Sequence, residues 1–205
     1  MALDARTRRL WLRAFAPVGR GLARLGITAN HVTALGLVLT AVAAWLVVRG
    51  DLVLAGWVLV GGSLADAFDG AVARARDEVT VAGGFYDSVA DRLSDGVILA
   101  AVLWAVGDDP LLFALAAVAL VTAQVTSYVR AKAESLGVSC AVGLIERGER
   151  AIIITVGLVF HRWLLGVALW VLAVGGTVTV AQRIAHVLPK LRALPHPTRQ
   201  GGTEA

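Results

Sequence analysis

Residues 52–106 read LVLAGWVLVGGSLADAFDGAVARARDEVTVAGGFYDSVADRLSDGVILAAVLWAV. Two apolar runs, near 52–73 and 83–106, are each long enough to cross a bilayer, which takes about 20 residues. Both carry aspartates within their apolar length. An uncompensated Asp at the bilayer centre costs about 2.5 to 3.5 kcal/mol, so Asp66, Asp69, Asp87 and Asp91 together would cost on the order of 10 kcal/mol unless something offsets them. Asp66 and Asp69 are three apart, with Gly70 and Ala73 continuing their helical face; Asp87 and Asp91 are four apart and share another. The intervening ARARDEVTVAG is too polar and too short to span. It turns the chain, sets the two helices antiparallel and lets the four carboxylates converge.

Four convergent carboxylates without histidine or thiolate make a hard-oxygen site suited to Mg²⁺, Mn²⁺ or Ca²⁺. Two divalent ions would balance the four charges. Such a pair serves displacement at phosphorus, where the ions neutralise phosphate oxygens and a base deprotonates the attacking hydroxyl. Arg74 stands close enough in sequence to hold a phosphate. Two other readings remain at this point. The aspartates could simply pair with Arg74, Arg76 and Arg92, or they could serve a cation-coupled transporter.

Outward from this stretch, further spans are expected near 31–49, 110–129, 150–165 and 167–188, six in all. The chain of 205 residues is 58% apolar and only 17% charged, with a mean hydropathy of +0.75. This predicts an all-α, polytopic membrane protein with little room for a soluble domain. Cys140 is the single cysteine and the four histidines are scattered, which excludes a disulfide scaffold or a Cys/His zinc site. The net charge is +4, but the arginines lie between apolar segments without aromatic interleaving, so a membrane surface and not nucleic acid is the expected partner.

Residues 1–28 mix six arginines with Leu10, Trp11, Leu12, Phe15, Val18, Leu22 and Leu25, the pattern of an interfacial amphipathic helix. Pro17 is expected to break it. Residues 29–190 form the membrane domain, and 191–205, with two prolines and two glycines in the tail, are expected to be disordered. Of the nineteen Lys and Arg, all but Arg49 and Arg162 fall on one side of the six-span arrangement. By the positive-inside rule that side, with both termini and the carboxylates, is cytoplasmic, in the cell membrane.

The fixed positions Asp66, Asp69, Gly70, Ala73, Arg74, Gly83, Asp87 and Asp91 resemble the signature of the CDP-alcohol phosphatidyltransferases, Asp-x2-Asp-Gly-x2-Ala-Arg-x8-Gly-x3-Asp-x3-Asp. The resemblance implies that Asp66, Asp69, Asp87 and Asp91 hold two Mg²⁺ ions, or Mn²⁺, and that Asp91 also acts as the base. It implies that Gly70, Arg74 and Thr80 line the nucleotide diphosphate of CDP-diacylglycerol. The segment GITANHVT at 26–33 is similar to the donor-contacting segment of the family, which adds Asn30, His31, Val32 and Thr33; helix capping is an alternative role for Asn30 and Thr33.

SYVRAKAESLG at 127–137 and IERGERAIII at 145–154 look like the corresponding segments of bacterial phosphatidylinositol phosphate synthases within that family. There a basic pocket holds the phosphate of inositol phosphate, and Arg130, Lys132, Arg147, Arg150 and Arg183 are the matching candidates. Glu134 and Glu149 are expected to orient these basic residues, and Asp95 to support Arg92 or Arg130. The implied reaction moves a phosphatidyl group from CDP-diacylglycerol to inositol phosphate with release of CMP. Glycerol 3-phosphate and phosphatidylglycerol are the alternative acceptors, and members of the family are often homodimers.

Overall fold

Seven helices make up a computed structural model that describes residues 5–193, with side chains from Phe15 onward. They are α1 (Ala5–Arg24), α2 (Ala29–Val48), α3 (Leu52–Ala75), α4 (Val81–Ala105), α5 (Pro110–Ser135), α6 (Arg147–Val159) and α7 (His161–Arg192). No strand occurs among the described residues. Local chemistry sets the starts. Thr28 accepts from the His31 backbone while the His31 ring accepts from the Thr28 N–H, a reciprocal cap on α2. Thr80 caps α4 by accepting from Gly83 N at 3.0 Å, and Asp109 caps α5 ahead of Pro110.

The main apolar core lies at the end of the bundle away from the aspartates. It joins Val47, Leu59, Val102, Ala116, Leu158 and Leu169 from six helices. Here α2 packs against both α3 and α4, α5 against α4 and α7, and α6 against α3 and α7. The pair α3 and α4 makes no extensive contact, so α2 holds them apart and a cleft opens between them. At the aspartate end, α1 lies on α3: Phe15 meets Phe68 edge-to-face at 5.0 Å, and Leu22 and Ile27 pack on the small cluster of Val32, Ala65 and Val72. Arg76, paired with Glu78 at 2.7 Å, also donates to Ala23 O and ties the α3–α4 turn to the end of α1.

Among the described residues four helices, α2, α3, α5 and α7, are long and apolar enough to cross a membrane. The other two expected spans fall outside that group for different reasons. Helix α4 has the length, with 25 residues, but Asp87, Asp91, Arg92 and Asp95 interrupt its apolar character. Helix α6 has only 13 residues, about 20 Å at 1.5 Å per residue. The expected boundary between the fifth and sixth spans, near 166, is instead at Phe160, and α7 runs on for 32 residues.

Pro17 does not break α1, which continues through it. Residues 191 and 192, expected to belong to the tail, are the end of α7; residues 194–205 lie outside the described residues. Trp45, Trp57, Trp104 and Trp163 are all exposed on the half of the bundle remote from the aspartates, the position of an interfacial aromatic belt. The Arg49 guanidinium stacks on Trp45 there, 5.0 Å from the ring centroid.

Candidate active site

The last turns of α3 present Asp66, Asp69 and Arg74, and the first turns of α4 present Asp87, Asp91 and Asp95 at every fourth residue. Asp66, Asp69 and Asp87 each offer a carboxylate oxygen within 4.8 Å of the other two, close enough to share a cation. The buried Thr33 hydroxyl, on the first turns of α2, donates to Asp69 Oδ2 at 2.9 Å. Arg147, from α6, grips Asp66 with both terminal nitrogens, at 2.5 Å and 3.1 Å. Its Nη2 also lies 2.8 Å from Asp91 Oδ1. That contact is an ion pair, and Asp91 Oδ1 is buried without a hydrogen-bond partner.

These observations fit a divalent metal. The donors are all carboxylate oxygens, three of them are already gathered, and the fourth, Asp91, has a buried oxygen that accepts no hydrogen bond. A single guanidinium leaves most of the charge of four carboxylates unbalanced, and a carboxylate out of water needs a cation or hydrogen-bond donors. The aspartates do not pair with Arg74, Arg76 or Arg92. Arg76 pairs with Glu78, Arg92 donates to Ser88 O one turn back, and Arg74 extends over Gly70. A Cβ at position 70 would sit 3.2 Å from Arg74 Nη1, so the glycine makes room for the guanidinium.

A cavity of about 550 Å³ opens between α2, α3, α4 and α6. Its polar end carries Thr33, Asp66, Asp91, Asp95 and Arg147, and its other end is walled by Leu37, Leu59, Ile98 and Ile154. Arg150, on the same helix face as Arg147, is buried and pairs with Asp95 at 2.5 Å. The Nε atoms of Arg147 and Arg150 are both buried without a partner. Asp95 therefore supports Arg150, in place of Arg92 or Arg130. Glu149 accepts from Glu146 N at 2.9 Å and caps α6, whereas Glu134 does hold Arg130, at 2.9 Å on the exposed side of α5.

The remaining candidates are distributed around this centre. Asn30 is exposed at the start of α2, with its side-chain oxygen beside Gly83. His31 and Thr80 are caps as well as donor-side candidates, and Val32 is buried in the cluster that seats α1. Lys132 is exposed on α5, off the face that carries Arg130. Arg183 is 3% exposed and donates to the carbonyls of Val142 at 2.8 Å and Thr126 at 2.7 Å. Sequence reasoning missed the Arg147 bridge and the Asp95–Arg150 pair. Their signals, Asp95 one turn after Asp91 and two arginines three apart, were visible but named no partner.

The sequence profile of the family described as CDP-alcohol phosphatidyltransferase matches residues 26–187. The archaetidylinositol phosphate synthase of Methanothermobacter thermautotrophicus is 40% identical over 173 residues, covering 82% of this chain and 87% of the relative. The crystal structure of Mycobacterium tuberculosis phosphatidylinositol phosphate synthase with CDP-DAG bound superposes with a TM-score of 0.80 at 36% identity, covering 85% of this chain and 94% of the other. The same enzyme in complex with manganese and citrate gives 0.79 at 36% identity, covering 85% and 88%. The profile match takes in both the eight-position signature and the arginines that face it, and the chain belongs to the CDP-alcohol phosphatidyltransferase family.

Proposed function

We propose that this enzyme transfers the phosphatidyl group of CDP-diacylglycerol to a hydroxyl of inositol phosphate and releases CMP. The observation that carries this reading is a cleft with two unlike walls. Carboxylates of α3 and α4 line one, and Arg147 stands on the other, its Nε buried without a hydrogen-bond partner, with Arg150 one turn along α6 held by Asp95. Carboxylates suit ions that grip a diphosphate, and guanidiniums suit a phosphate dianion. The relatives named above make lipids that carry inositol phosphate, which favours that acceptor over glycerol 3-phosphate or phosphatidylglycerol. Membership of a transferase family removes support from the transporter reading.

In this reading Asp66, Asp69, Asp87 and Asp91 hold two divalent ions, Mg²⁺ or Mn²⁺, and manganese is present in a complex of the similar enzyme. Once bound, such ions neutralise diphosphate oxygens as charge develops on the leaving group. The rest falls to the chain itself. Asn30, His31, Gly70, Arg74 and Thr80 bind the CDP end of the lipid, with Val32 and Thr33 framing it through packing and through Asp69. Arg130, Arg147 and Arg150 take the acceptor phosphate, while Lys132 lies off the face of Arg130 and Arg183 holds the carbonyls of Val142 and Thr126. Asp91 takes the proton of the acceptor hydroxyl as its oxygen bonds to the lipid-side phosphorus. The bond from that phosphorus to the CMP oxygen breaks, and Arg74 stabilises the departing nucleotide.

The proposed setting is the cell membrane, crossed six times by α2 to α7 within residues 29–190. Residues 1–28 lie on the cytoplasmic interface, and the chain after α7 is also cytoplasmic. The lopsided distribution of Lys and Arg and the tryptophans at the opposite end support this orientation. A homodimer follows from family resemblance, and cross-linking in native membranes tests it. The reaction itself is tested by CMP release from CDP-diacylglycerol with Mg²⁺ or Mn²⁺, supplying inositol phosphate, glycerol 3-phosphate, free inositol and phosphatidylglycerol separately. The expected outcome is release with inositol phosphate, abolished by a chelator and restored by the ion. Release with another alcohol alone would overturn the acceptor assignment.

A further inference from the structure

Arg147 and Arg150 stand on the first turn of α6, after eleven residues, 136–146, that form no regular structure. A pocket built there needs that segment fixed, and one face of α7 fixes it at three points. Gly175, Thr179 and Arg183 follow one another at intervals of four, so they stack along one stripe of the helix. Gly175 leaves the space that the Ile145 side chain fills; a Cβ there would collide with it. The Thr179 hydroxyl accepts from Ile145 N at 3.0 Å and donates to Gly175 O at 2.7 Å, so both its polar functions are used. Its methyl group covers Gly143, whose φ of +147° and lack of space exclude a side chain. Arg183 then holds Val142 O.

Thr179 is fully buried and Ile145 is 6% exposed, so water cannot replace this hydrogen bond. The segment is thus strapped at 142, 143 and 145, two residues before Arg147. We infer that Thr179, which touches neither the carboxylates nor the cavity, is a positioning residue for the acceptor pocket: it sets the register and depth at which α6 delivers Arg147 and Arg150. The inference rests on the acceptor reading proposed above. Arg183 contributes to the same strap through its Nε, while its Nη1 donates to Thr126 O of α5, whatever its Nη2 does for the acceptor.

The test is a steady-state comparison of Thr179→Val, Thr179→Ala, Thr179→Ser and Arg150→Ala with the wild-type enzyme in lipid. Mn²⁺ binding is followed by electron paramagnetic resonance on the same samples. Thr179→Val keeps the shape and loses the hydrogen bond; it should raise the acceptor KM about tenfold, the size expected for a buried donor left unsatisfied. The donor KM and Mn²⁺ affinity should stay within about twofold, below what one lost hydrogen bond would cause. Thr179→Ser should restore the acceptor KM. If Thr179→Val does not fold, the pair Thr179→Ala against Thr179→Ser decides by the same criterion. A parallel rise in donor KM, a loss of Mn²⁺ binding, or equal behaviour of the serine and hydroxyl-free variants overturns the inference. Arg150→Ala separates the two layers: an unchanged acceptor KM in that variant defeats the pocket reading, whereas a raised one with Thr179→Val unaffected defeats the strap alone.

Discussion

The two walls of the cleft are built in opposite ways. The carboxylate wall comes from two helices joined by a five-residue turn, and its spacing follows from helical geometry alone. The arginine wall comes from a short helix whose place is set by α4 through Asp95, by α3 through Asp66, and by α7 through a strap on the preceding segment. A local wall can be specified by a motif; an assembled wall needs the whole bundle. Substitutions on the first should therefore act on chemistry and metal, and substitutions on the second on acceptor affinity.

The largest effect should come from Asp91→Asn. It retains the shape but not the basicity or full charge, and kcat for CMP release should fall by at least about a hundredfold, the usual contribution of a positioned base. CDP-lipid binding should persist. Full activity in this variant would remove Asp91 as the base and blur the division between the walls.

On the other wall, Arg150→Ala should raise the acceptor KM by about ten- to a hundredfold, the range for losing a charge-assisted contact, with the donor KM unchanged. Because it leaves Asp95 buried without its partner, the double variant Asp95→Asn/Arg150→Ala should recover stability in a thermal melt while keeping the high KM. An unchanged acceptor KM would defeat the assignment of Arg150.

The sequence made the first wall legible because i, i+3 and i, i+4 carboxylates within apolar runs admit few explanations. Asp66, Asp69 and Asp87 meet as their spacing implies, and α2, α3 and α5 begin within two residues of expectation. The second wall was not legible to the same degree. That Asp95 would take Arg150 and not Arg92 depends on the tilt of α4 against α6, which no local pattern records. The end of α6 lies at Val159 and not near 165, and it was not legible because Phe160, His161 and Arg162 interrupt an apolar run too weakly to mark a break. Pro17 misled in the other direction, since tertiary packing of α1 on α3 at Phe68 carries the helix past the proline.

Arg147 belongs to both walls and gives a sharper test of their division. Its guanidinium occupies Asp66 and approaches Asp91, so it competes with any divalent ion for the same oxygens. Arg147→Ala should tighten Mn²⁺ binding severalfold, about 1 kcal/mol for a partly solvated ion pair, while raising the acceptor KM. Weaker Mn²⁺ binding in this variant would mean that Arg147 organises the carboxylates and belongs to the first wall only.

The smallest effect is expected outside α6, at Arg130 on α5, which the proposed function also assigns to the acceptor. Arg130 is held by Glu134 one turn along α5, with both side chains about half exposed. An exposed pair of this kind contributes about 0.3 to 0.5 kcal/mol, so Glu134→Gln should leave the melting temperature within about two degrees. It also frees the guanidinium from Glu134 for the acceptor phosphate that the proposed function assigns to it. The acceptor KM should therefore fall by up to about twofold, the equivalent of that small pairing energy. A rise instead would show that Glu134 aims Arg130 into the pocket. The exposed rim would then be as dependent on its neighbours as Arg150 is on Asp95, and the arginine wall would be assembled throughout.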